Sequence, residues 1–244
     1  MQSWVEHIWR FFRGPDLAGN ARRTYRLHLG YAVLDGTAGG ILLNAPIVAI
    51  KAFEAANWHL PLRDLYSGLG MIASLYLGAH LARRAKMPFV FVPGILAGVC
   101  SVGMAAASSS AFWFLTLLGV GAMFEIVARP AITAILRSKY PVAHRGHATG
   151  EGRKWSSLAF VVSSIVSAVM LHWAAGHSGG AGGVGGAEPD VLGNAGLQWS
   201  ADHMAPRLIA LAGALSLASF LCFRQIRVEQ ERHPSPRSPR PQIA

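Results

Sequence analysis

Residues 119–155 read GVGAMFEIVARPAITAILRSKYPVAHRGHATGEGRKW, and the nature of the chain turns on them. The stretch begins inside an apolar run that carries Glu125 and Arg129, then opens into a cluster of positive charge. Charged side chains are costly in hydrocarbon, so within a spanning helix they mark a polar site with a functional or structural partner. Their i, i+4 spacing puts both on one helical face, with Glu before Arg, the better order for an ion pair.

Outward from this stretch the composition is of the same kind. Of 244 residues, 52% are hydrophobic and only 14% charged, too apolar for an ordinary soluble domain. The apolar residues gather in runs of roughly 20, the length a helix needs to cross about 30 Å of hydrocarbon. Six spans are predicted, at about 29–50, 65–82, 88–107, 111–137, 156–175 and 205–223. The first is the most irregular, with Asp35, Asn44 and Pro46 among several glycines. Such irregularity is tolerated only where protein or a water-filled cavity covers it. Gly70, Ser74 and Gly78 make a small-residue ridge on the second span, and Gly94 and Gly98 form a GxxxG on the third, both suited to close helix packing.

Three further segments complete the chain. Residues 1–28 form a leader whose first part, with Trp4, Ile8 and Phe12 at i, i+4, reads as an amphipathic helix in the membrane interface. Residues 176–204 read as a flexible Gly-rich loop, and 224–244 as a disordered, basic, Pro-rich tail.

Orientation follows from the Lys and Arg positions, because cytoplasmic loops retain positive charge. Of 22 such residues, 18 fall in the leader, the 2–3 turn, the 4–5 junction and the tail, and three on the other side. Both termini are therefore expected in the cytoplasm, in a multi-pass protein of a bacterial inner (plasma) membrane. The net charge of +10 does not point to nucleic acid, since the basic residues lie between apolar runs instead of along one soluble face. Cys100 and Cys222 both fall in apolar runs, which argues against a disulfide framework. There is no CxxC, no Cys/His cluster and no nucleophile motif, and His80 and His172 sit at opposite depths. No metal, cofactor or enzymatic activity is expected.

The 2–3 turn, Gly78-Ala-His-Leu-Ala82-Arg83-Arg84-Ala85-Lys86, is similar to the Gly-x-x-x-Asp-Arg/Lys-x-Gly-Arg/Lys-Arg/Lys of major facilitator superfamily transporters. The glycine and the basic residues match; the Asp position is Ala82 and the later Gly position is Ala85. After Tyr140, Pro141 with Arg145-Gly146, Ala148 and Gly150 resembles the Pro-x-x-x-Arg-Gly-x-Ala-x-Gly of the family's 4–5 junction. With six spans, the chain resembles the N-terminal half of such a transporter over about 29–223. The resemblance implies an all-α, six-helix half bundle built as a 3+3 inverted repeat. Gly78, Arg83, Arg84, Lys86, Pro141, Arg145 and Gly146 would then form cytoplasmic gate-like motifs, a role that the missing Asp weakens.

A single half leaves its cavity face open, which implies a separately encoded second half, a homodimer or a truncated product. The expected function is a half-transporter in the lipid bilayer that moves a small solute, with H+ as a candidate coupling ion. The alternative is a non-transporting scaffold or regulatory subunit derived from a transporter fold. Asp35, Asn44, Glu125 and Arg129 are the expected intramembrane site. Counting about 1.5 Å per residue puts Asp35 and Arg129 near one depth. Arg129 is therefore expected to bridge Asp35 across to helix 1 and Glu125 along its own helix.

Overall fold

The computed structural model describes residues 19–53, 55, 59–81, 86–107, 110–178 and 194–231. The leader up to residue 18, with its amphipathic pattern, lies outside the described residues, as do Arg83, Arg84, most of the Gly-rich stretch and the tail beyond 231. Among the described residues there is no strand. The elements are α1 (Gly19–Leu42), α2 (Ala45–Ala52), α3 (Leu60–Leu81), α4 (Pro88–Ala106), α5 (Ala111–Lys139), a 3-10 turn (Val142–His144), α6 (Arg145–Ser178) and α7 (Asn194–Glu231).

Among the described residues five segments are long and apolar enough to cross a membrane: Ala21–Ile50, Pro88–Ala106, Ala111–Lys139, Val142–Trp173 and Met204–Ile226. This is a multi-pass helical membrane protein. Helix α3 is not among the five. Its 22 residues reach about 33 Å at 1.5 Å per residue, enough for the bilayer, but Arg63, Asp64, Tyr66, Tyr76 and His80 dilute its apolar character.

The first span is two helices. α1 stops at Leu42, Leu43 and Asn44 form a turn, and α2 restarts with Pro46 in its first turn, where a missing N–H costs nothing. Asn44 holds the break: its amide donates to Ser167 Oγ at 2.7 Å and to the Ser164 carbonyl at 3.0 Å, both on α6.

Other boundaries differ from the sequence expectation. The basic stretch between the fourth and fifth spans is mostly helical, since α6 already begins at Arg145. Only Tyr140 to His144 separate it from α5. Gly146, Gly150 and Gly152 suggest a loop by composition, yet all three lie in α6, and Gly152 makes room for a neighbour: a Cβ there would stand 2.7 Å from His28 Cε1.

The close pairs are α1 with α6 and α7, α5 with α3 and α4, α4 with α7, and α6 with α7. Exchanging α1 with α5, α3 with α6 and α4 with α7 returns the same set, except that α6–α7 has no equally close counterpart in α3–α4. α1 and α5 themselves barely touch. Glycine makes several of these approaches possible. A Cβ at Gly36 would collide with the Ser156 backbone, and one at Gly94 with the Phe220 ring. Two apolar clusters close the bundle at its ends. One gathers Tyr25, Leu29, Ile135, Tyr140, Phe223 and Ile226; the other gathers Ala49, Met104, Phe114, Leu115 and Ile209. We call the first the basic end.

Burial is uneven. In the apolar stretch of α1–α2, 39% of residues are buried, whereas in that of α6 only 6% are. Leu158, Val161, Val162, Ile165, Val166 and Val169 on α6, with Leu69, Ile72, Leu75 and Tyr76 on α3, stand exposed.

Candidate functional site

The charged site comes from two helices. Tyr31 and Asp35 stand one turn apart on α1, and Glu125 and Arg129 one turn apart on α5. Tyr31 is buried, Asp35 and Glu125 are half-buried, and Arg129 is exposed. The four groups lie within electrostatic reach of one another, and Arg63 of α3 acts on Glu125 as well. Residues ninety positions apart in the chain are thus brought to one place.

The expected bridge is not formed. No direct ion pair joins Arg129 to Asp35 or to Glu125. The reason lies in the packing: α1 and α5 barely touch, and Arg129 lines a cleft on the other side of α5, toward α3. Local chemistry also loosens α5 here. Pro130 has no N–H, so the carbonyl of Ile126 loses its helical partner, and Thr133 Oγ1 donates back to the Arg129 carbonyl at 3.0 Å.

The cleft has a volume of about 760 Å³. It is lined by Ser74 of α3, by Lys86, and by Ile126, Arg129, Pro130, Thr133, Ala134, Arg137 and Ser138 of α5. The sequence assigns Lys86 to a gate-like turn and Arg129 to the intramembrane site; the fold brings both to the lining of one cleft. In the sequence Arg137 only marks the end of a span. The signal that could have found it is the polar stripe 129, 133 and 137, at i, i+4 and i+8 on one helical face.

Asn44 has a different place. It lies nine residues beyond Asp35, about 13.5 Å along the helix, and both its amide contacts go to α6. In this arrangement it supports the helix break instead of joining the charges. Gly78 also departs from the expected packing ridge: Gly70 presses on Met123 of α5, but nothing comes within 4 Å of a Cβ at Gly78.

At the basic end, Tyr140 caps the junction between α5 and α6. Its hydroxyl is 3.2 Å from His28 Nδ1 on α1, and Arg145 Nε donates to its carbonyl at 2.9 Å. Burial, with Tyr25 adding to it, pushes the Tyr140 phenol up, so it keeps its proton at neutral pH and can donate to the imidazole. Arg145 therefore secures the backbone of the turn, while Pro141 and Gly146 stand exposed beside it. His28 was missed from sequence because a lone histidine before an apolar run carries no local signature.

Comparison with protein-family models, with characterised proteins and with solved structures finds no match for this chain.

Proposed function

We propose that the chain is a half-transporter, a six-helix bundle that moves a small solute across the membrane with proton coupling and works together with a second half or a second copy. The observation that carries this reading is the meeting of Asp35, Glu125 and Arg129 from two helices that scarcely touch. Charges placed only to hold a bundle together would be expected at a packed interface, fully paired, because an unpaired charge in hydrocarbon is costly. Here they sit on two helices with few backbone contacts and form no ion pair with one another, as ligands kept for a transported ion or solute would. The exchange pattern among helix pairs supports two three-helix repeats, and the resemblance at Gly78–Lys86 and Pro141–Gly150 agrees with that reading. The exposed faces of α6 and α3 supply the surface that a second half would cover.

The mechanism within this reading is an exchange of partners. Two carboxyl groups share the field of Arg129, with Arg63 acting on Glu125 as well, so a proton or a charged solute could each replace one of these partners. Proton release and solute entry would then each alter the field on Arg129. Proteoliposomes loaded with a pH-sensitive dye, exposed in turn to a panel of small organic solutes under a pH gradient, test the proposal. At least one solute is expected to drive proton flux in the wild type and at least tenfold less in Glu125→Gln. A panel in which no solute distinguishes wild type from Glu125→Gln would leave the scaffold reading in its place.

A further inference from the structure

Helices α3 and α5 are tight at one end and parted at the other. Gly119 lets Tyr66 and Arg63 approach, and Gly70 lets Met123 approach, each at distances no larger side chain would leave free. Two turns farther along α3, nothing stands within 4 Å of a Cβ at Gly78. The helices have diverged, and the 760 Å³ cleft occupies the divergence. It opens toward the basic end, where α3 finishes and α5 reaches Lys139.

What lines the cleft is one-sided in charge. Lys86, Arg129 and Arg137 are its three ionic residues, and no carboxylate is among the lining side chains described. The two arginines are eight residues apart, about 12 Å along α5, so they mark the deep and the shallow ends of one wall. Among the described residues none of the three cations has an ion-pair partner. The hydroxyls of the lining spend their protons locally: Ser74 on the Met71 carbonyl, Thr133 on Arg129, Ser138 on Ile135. The donors left for a ligand are therefore cationic N–H groups, which match the oxygens of a phosphate, bidentately in the case of arginine. The rest of the α5 floor is apolar, with Pro130 and Ala134 between the arginines and Ile126 beyond Arg129.

We infer that this α3–α5 cleft binds a phosphate-bearing anion, held by Lys86 and Arg137 at its mouth and reached by Arg129 from its deep end. The same cations serve a phosphate on a phospholipid at the membrane edge or on a soluble ester, and two arms of one experiment separate these sources. The inference does not rest on transport, because binding is read at equilibrium without a gradient.

The full chain is placed in phosphatidylcholine nanodiscs. In one arm inorganic pyrophosphate is titrated calorimetrically; in the other, phosphatidylglycerol is mixed into the discs and its retention over phosphatidylcholine is measured by native mass spectrometry. Arg137→Gln and Lys86→Gln are each expected to weaken the responding probe about tenfold, as loss of one charge-assisted contact does, and the double variant more. Arg207→Gln, which removes an exposed cation from α7 near the opposite end, is expected to change nothing. A response to pyrophosphate alone identifies a soluble ligand, and one to phosphatidylglycerol alone a lipid. Binding of neither probe, equal binding by wild type and the double variant, or equal loss in Arg207→Gln would overturn the inference. Size-exclusion profiles matching the wild type exclude misfolding as the cause.

Discussion

At the scale of single residues, three glycines that look alike in the sequence have unlike duties. A Cβ at Gly36 meets the Ser156 backbone and cannot be relieved by a side-chain movement, whereas Gly78 faces open space. Gly36→Val should therefore destabilise the protein by about 1–3 kcal/mol through overpacking, and Gly78→Val by well under half of that. Thermal midpoints in one detergent check the ranking, and similar midpoints would contradict the packing. Gly152 falls between them, because the atoms it meets belong to the His28 ring. Asn44→Ala removes two hydrogen bonds at a helix break, at about 0.6 kcal/mol each in a membrane setting, so a total near 1 kcal/mol is expected. An unchanged midpoint would mean that α2 is held by its apolar contacts alone.

Among the elements, most spans were legible because a run of about 20 apolar residues is a local signal. Asn44 and Pro46 marked the first span as irregular, and the irregularity is a helix break. Three things were not legible. The helical start of α6 at Arg145 was hidden by Gly146, Gly150 and Gly152, since glycine lowers helix propensity by about 1 kcal/mol while the contact with His28 that accommodates Gly152 is tertiary. The cleft was hidden because it depends on how far α3 parts from α5, a distance no pattern in either helix records. The site charges were legible as types, but their pairing was not, because Arg129 could turn toward α1 or toward α3 and only the packing decides. A double-mutant cycle reads this directly. With no ion pair between them, Arg129→Ala and Asp35→Asn should combine with a coupling below about 0.5 kcal/mol in the assembled half, the range expected of groups not in contact. A coupling above about 1 kcal/mol would restore the bridge.

For the whole molecule, the prediction concerns orientation. Most of the described Lys and Arg lie at the basic end, so it is expected on the cytoplasmic side. Cysteines placed at Ser110, before α5, and at the exposed Val142, after it, should behave oppositely toward an impermeant thiol reagent in intact cells, only the first being labelled. Equal labelling at both would mean that α5 does not cross. Cys100 and Cys222 are only half-buried, so the experiment needs a background in which both are replaced by serine.

The pairing of α1 with α6 and α7 has a consequence for how the chain is made. Among the described helices α1 leaves the ribosome first, yet its close partners, α6 and α7, are made last. The contact of His28 with Tyr140 closes 112 residues, and that of Asn44 with Ser167 closes 123. At about 5–20 residues per second, α1 waits on the order of ten seconds before α6 exists to receive it. The pairs α3–α5 and α4–α5 can form during that delay, giving a three-helix core onto which α1, α6 and α7 close afterwards. Until then Asp35 sits on a solitary helix, and the amide that secures the break at Asn44 has no hydroxyl to meet.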